Sequence, residues 1–430
     1  MEPFYDALVI GGGPGGSTVA TFLARAGRRV LVLERERFPR FHVGESLLPY
    51  SLPILDRLGV AEKVRAAGYQ KKYGAYFWND MTGEGTRSVV FRDAFNDRHP
   101  MAYQVKRADF DHLLLRHSEE SGAEVRQETA VEHVLFENGR AVGVRAVGPD
   151  GAATEIRARA VVDASGQGAF LSKQLGTRRF DSKLKRAALF AHYEGIRWPA
   201  ENQPGDILLP IDAGVWYWII PFSDGTASVG AVFEPSLARQ SGAPELTARF
   251  DWLIARSPRM PGLLEGSRRT SGVYAISDYS AASGKMAGDG YVLVGDAATF
   301  LDPVFSTGVF LALATGERAA AAIDRALTKR GRLDAKDLVR YEREARKLFA
   351  RFRRFVYSFY DPIFFEIFCT SNPPEKMRQA VTTVLAGGVE DPPLALKIWT
   401  QLMLWGVGID KLVRRLRGQT PAPRPDASPV

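Results

Sequence analysis

The segment from Asp6 to Glu34, DALVIGGGPGGSTVATFLARAGRRVLVLE, decides the fold. An apolar run, Ala7 to Ile10, meets a glycine cluster. A helical stretch from Ser17 to Ala26 ends at Gly27, and a second apolar run, Val30 to Leu33, ends in Glu34. Gly11, Gly13 and Gly16 take the three glycine positions of G-x-G-x-x-G. The first permits a tight turn, the second lets backbone approach a pyrophosphate, and the third lets helix and strand pack closely. The helix N-terminus offers free N–H groups and a positive dipole end to phosphates. Glu34 stands where a carboxylate can accept hydrogen bonds from ribose hydroxyls. The same glycines would serve an ordinary strand–helix turn. Strand, turn, helix, strand and acid in this order point instead to a dinucleotide.

The chain of 430 residues can bury a large core and is expected to hold two or three subdomains. Its 45% hydrophobic and 25% charged residues are ordinary for a globular protein. The N-terminal apolar run is too short and too broken by glycine to be a signal peptide. No apolar run reaches the roughly 20 residues of a bilayer span. Cys369 is the only cysteine, which fits a reducing, cytoplasmic setting. The net charge of +8 would suit an acidic partner, and equally describes a solvated basic surface. No metal site and no nucleic-acid partner are expected.

Onward from Glu34, Pro39 and Gly44 punctuate a loop, and helical periodicity runs from Ser46 through Ile54 and Leu58. Gln70 to Asn79 reads as one strand, and Arg107 to His117 as an amphipathic helix. Strand patterns at 130–147 and 153–164 end in VVDASG, a small-residue loop suited to a cofactor crevice. From Ala187 to Tyr274 strands dominate, with one helix near 244–255. YVLVGD at 291–296 is again strand and turn, and a helix follows from Thr307 to Ala326. The expected class is α/β: a doubly wound, Rossmann-like FAD-binding domain (1–180 and 275–330, with strand excursions at 70–105), an inserted β-sheet substrate domain (181–274), a helical C-terminal lid (331–418) and a disordered Pro-rich tail (419–430).

Asp296 at a strand end, ahead of a helix N-terminus, is placed to hold a ribityl hydroxyl while the helix dipole faces a flavin. Taken alone it could equally be a helix cap. With the glycine motif, VVDASG and the helix start at Arg107, the order of elements resembles the FAD-dependent monooxygenase superfamily, which implies FAD near Arg107 and Asp296.

Val215 to Pro221, VWYWIIP, contains Trp216-x-Trp218-x-Ile220-Pro221 and resembles the W-x-W-x-I-P motif of flavin-dependent halogenases. Both indoles fall on one face of a strand. The resemblance implies a wall that keeps organic substrate from the flavin; two ordinary core tryptophans are the plainer reading. Geranylgeranyl-reductase-like flavoproteins carry a related Y-x-W-x-x-P element. Lys72 and Phe77 fit the family's K-x-x-x-x-F, while Lys71 would point to the opposite face. The resemblance makes Lys72 the residue that hydrogen-bonds hypochlorous acid or forms a chloramine. Burial would lower its pKa, although both lysines also suit a surface strand start.

Asp302 to Gly308, DPVFSTG, resembles the halide loop, with the N–H groups of Thr307 and Gly308 as donors and Ser306 as helix cap. A capped helix beside the flavin is the alternative. Phe305 replaces the glutamate of tryptophan halogenases. That loss points to a phenol or pyrrole, whose own hydroxyl or nitrogen stabilises the cationic intermediate. FHVGESLLP at 41–49 resembles the family's loop near the isoalloxazine, with Glu45 and Ser46 as flavin contacts or Ser46 as a helix cap; His42 reads as a packing or surface residue. The C-terminal aromatics read as core, and as a lid by resemblance. The clusters Arg351, Arg353, Arg354 and Arg414, Arg415, Arg417 suit either solvent or an acidic carrier protein.

The resemblance implies a halogenase that uses reduced FAD from a partner flavin reductase, oxygen and chloride to make hypochlorous acid for an electron-rich aromatic ring, free or tethered to a carrier protein, in secondary metabolism. A flavoprotein hydroxylase or a geranylgeranyl-reductase-like enzyme is the alternative.

Overall fold

The computed structural model describes residues 4–80, 86–95, 98–212, 214–277, 279–369, 374–389 and 394–416. The expected disordered tail at 419–430 lies outside the described residues.

Short apolar runs make the first sheet. Ala7–Ile10 pairs in parallel with Val30–Leu33 on one side and Val161–Asp163 on the other. Glu124–Arg126 extends one flank, Tyr291–Leu293 the other, and Ala287–Gly288 closes an antiparallel edge. Runs with no polar alternation are those buried on both faces, and every residue of Ala7–Ile10 and Val30–Leu33 is buried. The register sets Ile10 opposite both Leu33 and Asp163, and Asp163 opposite Leu293. The carboxyl ends therefore align, and Gly11, Glu34, Ala164 and Gly295 all follow at one edge. The helix Pro14–Arg25 packs against Thr307–Arg330 and Arg107–Glu120. It begins three residues before the expected Ser17, because Pro14 supplies a preset φ at the first helical turn.

The second sheet has eight strands among the described residues. Its main path runs Arg268–Arg269, Ala187–Glu194, Thr226–Phe233, Val215–Pro221, Ile207–Asp212, Gly74–Asn79 and Thr86–Val90, with Tyr274–Ser277 also on Ala187–Glu194. Strands near residue 80 thus extend the sheet that the sequence assigns to 181–274. The single strand expected over Gln70–Asn79 is two. Gln70–Lys72 pairs with Ala102–Gln104 in a separate ribbon, and the break falls at Tyr73. Its N–H donates to Asp206 Oδ1 at 2.9 Å rather than to a ladder partner.

Helices Val339–Phe359, Pro362–Phe368, Glu375–Leu385 and Leu394–Leu416 follow. Phe349, Phe352, Phe355, Phe359, Phe364 and Phe365 are buried, as core aromatics should be, whereas Tyr357 and Tyr360 are half-buried.

Glycine is forced at position 16. A Cβ there would lie 1.9 Å from the Gly11 carbonyl oxygen, a backbone atom that cannot move aside. Gly16→Ala should lower unfolding free energy by roughly 2–4 kcal/mol, among the larger single-substitution effects, as read by denaturant titration. A loss within about 0.5 kcal/mol, typical of a surface change, would contradict that packing.

Candidate functional site

One cavity of about 720 Å³ lies along the carboxyl edge of the parallel sheet. Gly11, Gly13, Glu34, Glu45, Ser46, Arg107, Trp216, Trp218, Asp296, Thr307 and Gly308 all line it. Gly16 and Lys72 do not.

At the glycine turn, Gly11 has φ +99°, and a Cβ on it would lie 2.6 Å from the Ala164 carbonyl oxygen. Gly13 caps the helix with no side chain to occupy the first N–H groups. Bare donors and a positive dipole end are what a pyrophosphate needs. Glu34 is buried. Its Oε2 accepts from the Gly12 N–H at 2.7 Å and its Oε1 from the Glu36 N–H at 2.9 Å, so the backbone holds the carboxylate at the cavity.

Arg107 faces Asp111 in a bidentate pair at 2.7 and 2.8 Å, and its remaining amino group donates to the Val43 and Gly44 carbonyls. It clamps the loop that carries Glu45 and Ser46. Asp296 accepts from Gln167 at 3.2 Å. Burial raises its carboxyl to about 6, against the pull of Arg107, Gln167 and Arg178. Glu45 Oε1 meets His192 Nε2 at 2.8 Å, while Oε2 is buried with no hydrogen-bond partner. An orphaned carboxylate oxygen, bare helix donors and a cradle that a Cβ would fill suit a ligand rich in hydroxyls and phosphates. His42 is half-buried, and burial lowers it to about 4, with the Arg107 charge adding to the effect.

Trp216 and Trp218 lie 5.9 Å apart between ring centres on the cavity side of their strand. Between them Tyr217 turns to the other core and donates to the Leu253 carbonyl. Trp218 Nε1 donates to Ser228 Oγ at 3.0 Å, and its indole lies over Gly230, where a Cβ would sit 2.2 Å from the ring. Trp216 Nε1 donates to the Tyr360 hydroxyl at 3.0 Å.

Lys72 is buried just behind the lining. Its Nζ donates to Ser46 Oγ at 2.8 Å and the Leu47 carbonyl at 3.2 Å, and stands 5.2 Å from the centre of the Phe91 ring. Burial lowers its pKa to about 7, with Asp206 opposing. Lys71 is exposed. Ser46 bridges to Gln104 and caps no helix; the next helical turn begins at Pro49. Ser306 does not cap the helix at Thr307 either. Its backbone is left-handed (φ +56°), and the side chain makes no bond to the helix start. Asp302 instead accepts from the Val304 N–H, leaving Thr307 and Gly308 without a side-chain cap.

The sequence puts Asp302 at the head of the halide loop and Tyr360 among the core aromatics, with no role of their own, and leaves His192 unassigned. Each had a faint signal: His192 interrupts an otherwise apolar strand edge, Asp302 sits beside buried Leu301 and Val304, and Tyr360 ends a run of aromatics. Among the described residues no cluster of metal-ligating side chains occurs, and no helix is long and apolar enough to cross a membrane.

Residues 5–356 match the family model of the FAD binding domain. A 1H-pyrrole-2-carbonyl-[peptidyl-carrier protein] chlorinase of Pseudomonas fluorescens is 34% identical over 348 residues, covering 75% of this chain and 76% of that protein. A flavin-dependent halogenase of Armillaria mellea is 34% identical over 356 residues, covering 76% of this chain and 67% of its own. Among solved structures, the myxobacterial chondrochloren halogenase, an FAD-dependent halogenase, superposes with a TM-score of 0.78 at 34% identity, covering 94% of this chain and 97% of that one. A flavoprotein/dehydrogenase of Cytophaga hutchinsonii gives 0.85 at 31% identity, covering 95% and 100%.

The buried amine generates a test. Unfolded Lys72 keeps its proton up to its ordinary 10.5, whereas the folded side chain loses it near 7. Between those values the unfolded state binds more protons, so the stability contributed at this site rises with pH. Lys72→Met has no such proton. Its advantage over the wild type should be largest below about pH 7 and shrink steadily towards pH 10, measured as a difference in unfolding free energy. A difference that stays flat from pH 7 to 10 would contradict the burial of the ammonium.

Proposed function

Because the chain belongs to the flavin-dependent halogenases, we propose that it chlorinates a phenol or pyrrole ring with hypochlorous acid made from reduced FAD, oxygen and chloride. The observation that carries this reading is that Trp216 and Trp218 line the same cavity as Gly11, Asp296 and Thr307. Bound and reduced, FAD supplies two electrons and two protons for the overall conversion of oxygen, chloride and one further proton to hypochlorous acid and water.

The chain's own residues do the rest. The Gly13 helix start takes the pyrophosphate; Glu34 takes ribose hydroxyls, and Asp296 the ribityl chain. Arg107 keeps Glu45 and Ser46 at the cavity through its hold on Val43 and Gly44. The N–H groups of Thr307 and Gly308 hold chloride at a helix start with no side chain over it. The two indoles exclude the organic ring, so the small oxidant moves and the substrate does not. At neutral pH a large share of Lys72 is free amine. It can pass a hydrogen bond to hypochlorous acid or accept its chlorine as a chloramine, with Ser46 Oγ fixing Nζ next to the lining. The ring then loses a proton as it gains chlorine. No carboxylate stands at Phe305 to assist, so the substrate's own hydroxyl or ring nitrogen carries the positive charge.

A flavin reductase as electron donor, a carrier protein bearing the substrate and a cytoplasmic setting complete the proposal. Relatives named as pyrrolyl-carrier-protein chlorinase and brominase support the carrier. Arg353 and Arg354 are exposed on the C-terminal helices and suit an acidic surface, whereas Arg417 lies outside the described residues. The division into an FAD-binding unit, a β-sheet unit and C-terminal helices belongs to the same proposal, with Gly74–Asn79 and Thr86–Val90 moved to the β-sheet unit. The Cytophaga flavoprotein/dehydrogenase keeps a second reading in play, a hydroxylase or reductase that takes electrons straight from a nicotinamide.

Incubation with FAD, a flavin reductase, NADH, chloride and phenols or pyrroles, free and carrier-bound, should give chlorinated product by mass spectrometry. Lys72→Ala should retain FAD and lose on the order of 100-fold in product rate, the scale of a positioned acid–base group. Rapid reduction by NADPH with no partner enzyme, and products that are hydroxylated but never chlorinated, would establish the second reading instead. Full chlorination by Lys72→Ala would remove that residue from the chemistry.

A further inference from the structure

A chain of hydrogen bonds leaves the cavity through the tryptophan wall. Trp216 Nε1 donates to the Tyr360 hydroxyl at 3.0 Å, and that hydroxyl donates to Asp302 Oδ2 at 2.9 Å. The other oxygen, Oδ1, accepts from the Val304 N–H at 3.0 Å and so fixes the turn that leads into Ser306, Thr307 and Gly308. Three separate parts of the chain meet here: the W-x-W-x-I-P strand, the end of helix Val339–Phe359, and the halide loop. Arg186 closes the arrangement from behind. Its guanidinium lies 4.5 Å from the centre of the Tyr360 ring and pairs with Glu234 at 2.5 Å. Asp302 is 1% exposed, so it is far from bulk water and dependent on these partners.

The place of this chain matters as much as its bonds. Trp216 lines the cavity of the glycine turn, and Tyr360 lines a second cavity of about 340 Å³ with Lys183, Leu184 and Tyr357. Each residue faces a different cavity, and the two are hydrogen-bonded to each other. Their contact is therefore part of the partition between the cavities. A hydrogen bond donated into a hydroxyl that donates onward to a buried carboxylate is strengthened by the charge at its end.

We propose that Tyr360 is a positioning residue that seals this partition, holding Trp216 against the outward route and, through Asp302, holding the halide loop in register. The proposal rests on the halogenase reading, since a seal is needed only where a small oxidant must be kept inside. Cutting the seal should let the oxidant escape through the second cavity while its formation continues.

Tyr360→Phe deletes one oxygen and keeps the ring. Losing the hydroxyl's two hydrogen bonds, one of them to a charged group, should cut chlorinated product per oxygen consumed by roughly ten-fold or more, with oxygen consumption within about two-fold of the wild type. The missing oxidant should appear in bulk solution as hypochlorous acid, trapped by a chlorinatable dye; hydrogen peroxide in its place would mean that the oxidant is not formed, and would overturn the seal. Trp216→Phe removes the donor at the other end and should leak likewise, and the double variant should leak no more than Tyr360→Phe alone, the non-additivity of residues that share one bond. Amide hydrogen exchange across 301–308 should quicken in Tyr360→Phe and not in Trp216→Phe, a readout that needs no turnover. If Tyr360→Phe does not fold, Trp216→Phe carries the test: it should leak hypochlorous acid with exchange across 301–308 unchanged, and no leak from it would overturn the seal. Unchanged coupling in a folded Tyr360→Phe, or leaks that simply multiply in the double variant, would overturn the seal. A wild-type protein that makes no chlorinated product would instead overturn the halogenase reading, and faster exchange in Tyr360→Phe would still stand.

Discussion

The alternation of side chains along Val215–Pro221 is the constraint on which the site depends. A strand sends successive side chains to opposite faces. Trp216, Trp218 and Ile220 therefore turn towards the cavity and the main core, while Tyr217 and Ile219 turn into the second core behind the sheet. A one-residue slip would exchange the two sets and put a tyrosine where the indoles stand. Register is held from both sides, by Thr226–Phe233 and Ile207–Asp212, and by a glycine at position 230 that leaves room for the Trp218 ring. In the proposed function this geometry makes the oxidant, and not the substrate, the species that travels.

Around that wall the interior carries an unusual load of ionisable groups. Burial pushes Asp206, Asp296 and Asp302 up to about 6 and brings Lys72 down to about 7. Buried charges persist only where hydrogen bonds or counter-charges offset their desolvation. Asp296 has Arg107 and Gln167, Asp302 has the Val304 N–H and Tyr360, and Lys72 has Ser46, Leu47 and the field of Asp206. Four such groups near neutrality lie in or close to one cavity. Clusters of this kind favour chemistry over packing.

What the sequence displayed was what local rules govern. Gly11, Gly13 and Gly16 are read from the strand and helix that flank them, Glu34 and Asp296 from their places at strand ends, and the two tryptophans from a period of two. All seven of these positions bear on the one crevice, though Gly16 does so by packing and not by lining it. The misreadings arose where a distant residue took over. Asp206 captures the Tyr73 N–H across 133 positions and splits a strand that reads as continuous. Asp302, not Ser306, organises the turn before Thr307, because Ser306 has a left-handed backbone. The Trp216–Tyr360 and Glu45–His192 contacts join residues 144 and 147 positions apart, and no periodicity carries such information. Lys72 was legible as a buried amine, but its place behind Ser46, off the cavity lining, needed the fold.

In the proposed function, oxygen and substrate never meet at the flavin. The decisive measurement is turnover under oxygen-18 gas, with chloride and an accepted phenol or pyrrole, followed by mass spectrometry. The product should gain chlorine and no heavy oxygen, with the label in water. Heavy oxygen attached to the ring would contradict it, because it would mean that the substrate reaches past Trp216 and Trp218 to the flavin itself.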